Sequence, residues 1–131
     1  MCGIWKLSKP YKSENELSLE KLENIVSDIL FSKLEYINLN GGEPNLRDDL
    51  PEIVKLLIAK LPKLKTITLN SNGLPVDKAI SNAEKISKIC QEKNIRFSIS
   101  ISLHKIGKEY DEIAGIKNAY SKVRETLRTL K

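Results

Sequence analysis

The chain has 131 residues, of which 40% are hydrophobic and 30% charged, and its formal net charge of +5 is ordinary for one globular domain. No apolar run has the length of a membrane span and the first residues lack the apolar centre of a secretory signal, so we expect a cytoplasmic chain without a membrane partner. Lysines are spread among glutamates and only 5% of the residues are aromatic, which argues against a nucleic-acid partner.

The spacing of apolar residues switches between helical and strand periods along the chain. In chain order it predicts a helix capped by Ser18, a strand over 34–40, a helix opened by Asp48 or Asp49, a strand over 64–70, a helix starting at Pro75, a strand over 96–103 and a final helix over 116–130. The first helix is expected to extend through Leu30, because Ile29 and Leu30 continue its apolar stripe. The order α-β-α-β-α-β-α predicts an α/β fold with a parallel sheet.

Polar and apolar side chains alternate in all three predicted strands. Ile67 and Leu69, for example, alternate with Thr66, Thr68 and Asn70. Successive side chains of a strand point to opposite faces, so one face of the sheet is predicted to be apolar and the other to carry hydroxyls and amides. We therefore expect the helices to cover one face only.

A leucine-rich repeat is one scaffold with a polar sheet face. The stretch LKTITLNSNGL matches that repeat in sequence, and LEYINLNGGEP repeats its first half about thirty residues earlier. Gly42 stands where the repeat has asparagine, however, and the third strand does not restore the motif. A non-catalytic α/β or leucine-rich-repeat-like binding module is therefore the alternative interpretation.

The other scaffold is a partial (βα) barrel, which binds ligands at the C-terminal ends of its strands. Each predicted strand ends in a polar segment, and these segments are NGGEP at 40–44, NSNG at 70–73 and SLH at 102–104. Glycine lets a ligand approach the backbone closely, proline fixes the shape of the turn, and a carboxylate suits an ammonium group. The turn Gly41–Pro44 therefore predicts a site for a small cationic or zwitterionic ligand.

The same segments resemble the radical S-adenosylmethionine (radical SAM) family over essentially the whole chain. GGEP at Gly41–Pro44 resembles the methionine-binding turn of that family, and TLNSNGLPVD and SISLHKIGKEYDEIAGIKNAYSKV resemble two later strand exits. In the last stretch Asp111 matches the acid of the family's H-D pair, whereas Tyr110 replaces the histidine. The resemblance implies that residues 1–131 form a single partial radical SAM core domain, about the second to fourth βα units of the barrel.

The resemblance also implies roles for individual residues. In the family the turn contacts the amino group of bound SAM, which assigns that contact to Gly41, Gly42, Glu43 and Pro44. Asn72 and Ser102 are implied contacts for the ribose or carboxylate of SAM, and the alternative for both is a role in the turn or strand end alone. The alternative for Glu43 is to stabilise the N-terminus of the following helix. His104 is either a general base or a surface residue.

A [4Fe–4S] cluster held by C-x-x-x-C-x-x-C is a further implication of the resemblance. The cluster and an electron donor such as flavodoxin or ferredoxin would support reductive cleavage of SAM to methionine and a 5′-deoxyadenosyl radical. That radical would abstract hydrogen from a substrate, which the sequence does not specify. Cys2 matches the third cysteine of the motif, so the other two and the first strand are expected before Met1. Cys90 lies on an apolar helix stripe and is expected in the core. We therefore expect this chain alone to be inactive.

Overall fold

The computed structural model describes residues 16–131. Its helices and strands alternate along the chain in the order α1 (Leu19–Val26), β1 (Tyr36–Leu39), α2 (Leu50–Lys60), β2 (Thr66–Ser71), α3 (Val76–Glu92), β3 (Arg96–Ile101), α4 (Gly107–Ala114) and α5 (Ala119–Thr129). Short 3₁₀ turns lie at Ile29–Phe31 and Pro44–Leu46.

The three strands form one parallel sheet in the order β1-β2-β3. Tyr36 of β1 pairs with Thr66 of β2, which pairs in turn with Arg96 of β3. Each strand is separated from the next by a helix, as parallel pairing requires, because the chain must return to the same end of the sheet. The predicted α/β fold and parallel sheet are confirmed.

The two faces of the sheet differ as the alternation predicts. Ile67 and Leu69 of β2 are fully buried on one face. On the other face the side chains of Thr68 and Ser98 bond each other at 3.0 Å, and Asn70 donates to the side chain of Asn40 at 2.6 Å. These polar side chains are exposed or half-exposed. The helices therefore cover the apolar face only.

Two apolar clusters lie beneath the sheet. The larger joins β1 and β2 to the helices α1, α2 and α3, and includes Val54, Ile67, Leu69, Ile86 and Cys90. The smaller joins α4 to α5 near the strand exits, and consists of the buried residues Tyr110, Ala114, Ala119 and Val123 with partly buried neighbours such as Ile101. The second cluster lies at the end of the sheet where the polar exits were predicted.

The first helix is shorter than predicted. Ser18 caps it, because its hydroxyl accepts a hydrogen bond from the backbone N–H of Lys21 at 3.3 Å. The helix ends at Val26, and Asp28 then caps the 3₁₀ turn that follows by accepting from the N–H of Leu30 at 2.9 Å. Ile29 and Leu30 consequently leave the helix stripe and are 80% and 83% exposed. Their assignment to the first helix was wrong.

The C-terminal part contains two helices where the sequence predicted one. Helix α4 was not predicted, and α5 begins at Ala119, so Ile116 lies in the connection between them. Gly115 ends α4 with a φ of 67°, the left-handed conformation that favours glycine at this position. The carboxylate of Asp111 then accepts from the backbone N–H groups of Asn118 and Tyr120, at 3.2 and 2.8 Å, and so stabilises the start of α5.

Within residues 16–131, every helix is too short or too polar to span a lipid bilayer.

Candidate functional site

The exits of β1 and β2 are joined by the carboxylate of Glu43. Its Oε1 atom accepts hydrogen bonds from the backbone N–H of Asn45 at 3.1 Å, from Asn45 Nδ2 at 3.0 Å and from the hydroxyl of Ser71 at 2.8 Å. Its Oε2 atom accepts from the backbone N–H of Asn72 at 2.7 Å. Glu43 therefore fixes the turn after β1 to the turn after β2 with charge-assisted hydrogen bonds.

Buried polar side chains continue this network into two helices. Asn45 is fully buried, and its side-chain oxygen accepts from Asn82 of α3 at 3.1 Å. Ser71 accepts from the backbone N–H of Gly73 at 2.9 Å, and the carbonyl of Gly73 accepts from the hydroxyl of Thr126 of α5 at 2.7 Å. Every buried side-chain nitrogen or oxygen in the described part of the chain has a hydrogen-bond partner. These hydrogen bonds therefore hold the turns after β1 and β2 rigidly against α3 and α5.

The structural reason for glycine differs between the turn after β1 and the turn after β2. Gly73 has a φ of 70°, and a Cβ on it would lie 3.1 Å from Cγ2 of Ile101, so both conformation and packing require glycine there. Gly41 and Gly42 do not have a positive φ, and a Cβ on either would meet no atom within 4 Å. Neither the backbone conformation nor packing among the described residues therefore explains the Gly41–Gly42 pair.

Asn72 and Ser102, the two other predicted SAM contacts, lie at neighbouring exits. Backbone N–H of Ser102 donates to the carbonyl of Ser71 at 2.9 Å, and the side-chain oxygen of Asn72 accepts from the N–H of Leu74 at 2.8 Å. The hydroxyl of Tyr110 lies 3.5 Å from the carbonyl oxygen of Asn72 and 3.4 Å from that of Ser102, and donates between them. Tyr110 therefore links the exits of β2 and β3 from below.

Burial raises the pKa of the Tyr110 hydroxyl, and the nearby Glu43 carboxylate raises it further. The hydroxyl therefore stays protonated, as its role of donor requires.

Pro44 opens the 3₁₀ turn that follows Glu43, and its carbonyl accepts from the backbone N–H of Arg47 at 3.1 Å. The guanidinium of Arg47 donates to both carboxylate oxygens of Asp49 at 2.8 Å and to the carbonyl of Leu17 at 3.1 Å. The hydrogen bond between these side chains lowers the pKa of Asp49 and raises that of Arg47. Asp49 precedes α2, as one of the two predicted openings, but its side chain binds Arg47 rather than the helix N–H groups.

His104 is exposed and lies in the connection between β3 and α4. Glu43 occupies the capping position of the 3₁₀ turn Pro44–Leu46, whereas the capping position of the following helix α2 belongs to Asp49. Contact of Glu43 with an ammonium group and stabilisation of the following helix through its dipole both stay predictions.

A four-iron cluster does not fit the described residues. Cys90 is the cysteine they contain; it is 1% exposed, and burial raises the pKa of its thiol, which confirms the expected core role. In residues 16–131 there is no group of three or more His, Cys, Asp or Glu side chains that could hold a metal ion. Cys2, the predicted ligand, lies outside the described residues, and the whole sequence contains two cysteines.

The sequence reasoning missed the buried network behind the turn. Ser71 occupies the inward position that follows Ile67 and Leu69 along β2, and Asn82 lies on the apolar stripe of α3. A polar residue at a position that the pattern assigns to the core signals a buried hydrogen-bond partner. Asn45 carries no comparable signal, because it lies in an irregular turn.

Comparison with known proteins identifies the family. The sequence model of the Radical SAM superfamily matches residues 1–131. The GTP 3′,8-cyclase of Mannheimia succiniciproducens is 34% identical over 76 residues, which are 58% of this chain and 22% of the relative. The Fe-coproporphyrin III synthase of Methanosarcina barkeri is 27% identical over 113 residues, 86% of this chain and 26% of the relative.

A probable GTP 3′,8-cyclase of Methanococcus vannielii is 32% identical over 100 residues, 76% of this chain and 30% of the relative. The chain thus spans about a quarter of the length of these relatives. No solved structure matches it significantly. The three-stranded parallel sheet with helices on one face is the fold expected of part of a radical SAM barrel, and the leucine-rich-repeat interpretation is set aside. The chain belongs to the radical SAM superfamily.

Proposed function

We propose that the turn Gly41–Pro44 holds the methionine end of SAM, with the ammonium group on the carboxylate of Glu43. The observation that carries this proposal is the Gly41–Gly42 pair, which neither a positive φ nor packing explains. Close approach of a ligand to the backbone is another reason for glycine, and it accounts for this pair. The open side of these two residues is where the methionine end would lie.

The acceptor capacity of Glu43 supports the same assignment. An ionised carboxylate has about four acceptor sites, shared between its two oxygens. Among the described residues, Oε1 receives three donors and Oε2 one. Oε2 therefore keeps an acceptor site on a half-exposed side chain, and an ammonium group is the cationic donor that would use it.

Asn72 and Ser102 are proposed to lie along the ribose or carboxylate of SAM. The side-chain oxygen of Asn72 is already bonded to the N–H of Leu74, so Asn72 would contribute through its amide nitrogen. The hydroxyl of Ser102 lies on an exposed residue at the same rim.

We also propose that residues 1–131 correspond to about the second to fourth βα units of a longer radical SAM enzyme. In that enzyme Cys2 and two further cysteines would hold a [4Fe–4S] cluster, which would supply the electron for cleavage of SAM from a donor such as flavodoxin or ferredoxin. This chain alone is inactive in this proposal, because its two cysteines cannot supply three thiolates. The relatives are named for different reactions, so we propose no substrate. The alternative is a non-catalytic α/β binding module.

Replacement of Gly41 or Gly42 by alanine tests the SAM site. Each variant is expected to bind SAM at least tenfold more weakly in a calorimetric titration, because the added methyl group occupies the path of the ligand. Its free energy of unfolding should change by no more than about 1 kcal/mol, since no strain or clash results. Ser87→Ala, on the exposed side of α3, is the control for both measurements. Wild-type affinity in both glycine variants, or no SAM binding by the wild type, would refute the site.

Anaerobic iron–sulfur reconstitution tests the proposed inactivity. We expect no stable visible absorbance of a [4Fe–4S] cluster and no cleavage of SAM on addition of dithionite. Cys2→Ala and Cys90→Ala variants serve as controls for iron bound non-specifically. A stable cluster in the wild type that disappears in the Cys2→Ala variant would show that the chain assembles a cluster, and the proposal of inactivity would then be wrong.

A further inference from the structure

The fully buried side chain of Asn45 has a defined direction in its hydrogen bonds. A carboxylate only accepts, so Asn45 must present its amide nitrogen to Glu43 Oε1, at 3.0 Å. The same nitrogen lies 3.0 Å from the hydroxyl oxygen of Ser71, and the amide oxygen faces the donor nitrogen of Asn82 at 3.1 Å. The side-chain amide of Asn45 therefore has one orientation in which its nitrogen and its oxygen satisfy all these neighbours.

Ser71 is equally constrained. Its hydroxyl has one proton, which must go to Glu43 Oε1 at 2.8 Å. Its two remaining acceptor sites receive Asn45 Nδ2 and the backbone N–H of Gly73. The hydroxyl is thus saturated, and the network allows no alternative arrangement of donors around Oε1 without breaking a bond.

These contacts set the rotation of the carboxylate group. Three donors on Oε1 fix that oxygen toward the protein interior, and the backbone N–H of Asn72 fixes Oε2 at 2.7 Å. The one acceptor site that the described residues leave on Glu43 is then on Oε2. Without the Asn45 amide, Oε1 keeps two donors, the backbone N–H of Asn45 and the hydroxyl of Ser71, and the carboxylate group is held less tightly about its terminal torsion, which is broad.

We propose that Asn45 is a positioning residue that aims Oε2 of Glu43 at the ammonium group of the ligand, and that Asn82 orients the amide of Asn45 from α3. Asn45 acts through Glu43 and does not touch the ligand. The part that concerns the ligand rests on the proposed function, whereas the part that concerns the orientation of Glu43 does not.

The first test measures ligand specificity. SAM and its deamino analogue, in which hydrogen replaces the amino group, are titrated into the wild type, Asn45→Ala and the control Asn24→Ala, an exposed asparagine on α1. Asn45→Ala should weaken SAM binding at least fivefold and binding of the deamino analogue less than twofold. Equal weakening for both ligands, or none, would overturn the positioning role, because a merely structural residue has no preference for the amino group.

The second test needs no ligand. The amide proton of Asn72 bonds a carboxylate at a short distance, so we expect its NMR resonance to lie downfield in the wild type and to move upfield in Asn45→Ala. An unchanged resonance would overturn the proposal even if SAM binds. Conversely, a shifted resonance in a chain whose wild type does not bind SAM would refute the SAM site and leave the orientation of Glu43 supported.

Asn82→Ala is the second variant for the case that Asn45→Ala does not fold. It removes only the donor to the oxygen of Asn45 and leaves both bonds from Asn45 to Glu43 possible. A two- to threefold loss of SAM affinity, with the deamino analogue unaffected and the Asn72 resonance displaced in the same direction, is expected. If neither the SAM affinity nor the Asn72 resonance changes in Asn82→Ala, the proposed contribution of Asn82 is wrong.

Discussion

Glu43→Ala is expected to lower the free energy of unfolding by about 3 kcal/mol, because it removes the acceptor of four hydrogen bonds at once. Asn45 and Ser71 are buried, so their bonds to Glu43 are lost without full replacement by water, although Asn45 Nδ2 keeps its contact with Ser71. Asn72 is half-exposed, so its N–H can be rehydrated, and the four contributions do not add fully. Urea unfolding of the wild type and the variant, followed by circular dichroism, measures the difference.

Asp48→Ala is the matched control for Glu43→Ala. Asp48 is an acidic residue of the same turn region; its side chain is 90% exposed and pairs with Lys78 on the surface. Its removal should change the free energy of unfolding by less than about 0.5 kcal/mol. If the two variants are equally stable, the hydrogen bonds of Glu43 do not form in solution and the network described above is wrong.

The structural role of Glu43 affects how its mutants must be interpreted. Loss of ligand binding in Glu43→Ala does not by itself demonstrate contact with the ligand, because the turn also loses its connection to β2. Alanine at Gly41 or Gly42 avoids this ambiguity, since neither residue supports the fold by its conformation or packing.

Tyr110→Ala is expected to lower the free energy of unfolding by about 4 kcal/mol, because the ring is fully buried in the smaller cluster and its removal leaves a cavity. Tyr110→Phe keeps the ring and should cost about 1 kcal/mol at pH 7, the usual contribution of a hydroxyl hydrogen bond. Thermal unfolding of both variants at pH 7 separates the packing of the ring from the bond between the strand exits.

Because the pKa of Tyr110 is raised in the folded protein, the stability of the protein is expected to depend on pH in the alkaline range. The unfolded tyrosine loses its proton from about pH 10, whereas the folded one keeps it to higher pH, so ionisation favours the unfolded state in that window. Wild-type stability should therefore fall more steeply above pH 10 than that of Tyr110→Phe, by up to about 1.4 kcal/mol per pH unit. Tyr36→Phe, at a residue 51% exposed, is the control. If the stability of the wild type and of Tyr110→Phe falls equally steeply above pH 10, folding does not raise the pKa of Tyr110.

The sheet was predictable because one simple rule determines it. Side chains of a strand alternate between two faces, so Ile67 and Leu69 had to lie opposite Thr68 and Asn70. The helix ends were less predictable. A continuing apolar period suggested that Ile29 belonged to α1, but the cap that Asp28 provides to the next turn ends the helix earlier. Local hydrogen bonds compete with periodicity at such positions.

The candidate site was predictable in location but not in detail. The polar strand exits placed Glu43 and Asn72 at one rim, and the structure joins them directly. The contact from Asn45 to Asn82 spans 37 positions and depends on the path of α3 over the turn, which no sequence period specifies. Helix α4 was missed for a related reason: eight residues with few apolar positions give a weak helical signal, and packing of Tyr110 determines it.

The parallel register of the strands has a consequence for changes in the gene. Residues 66–69 of β2 pair with both neighbouring strands, and the side chains of β2 alternate between a buried and a half-exposed face. Removal of a single codon within β2 would reverse that alternation for the rest of the strand, so that hydroxyls and amides enter the core and isoleucine or leucine meets water. The same loss in an exposed connection changes only its length. Natural length variation in relatives should therefore be confined to the connections and absent from this strand.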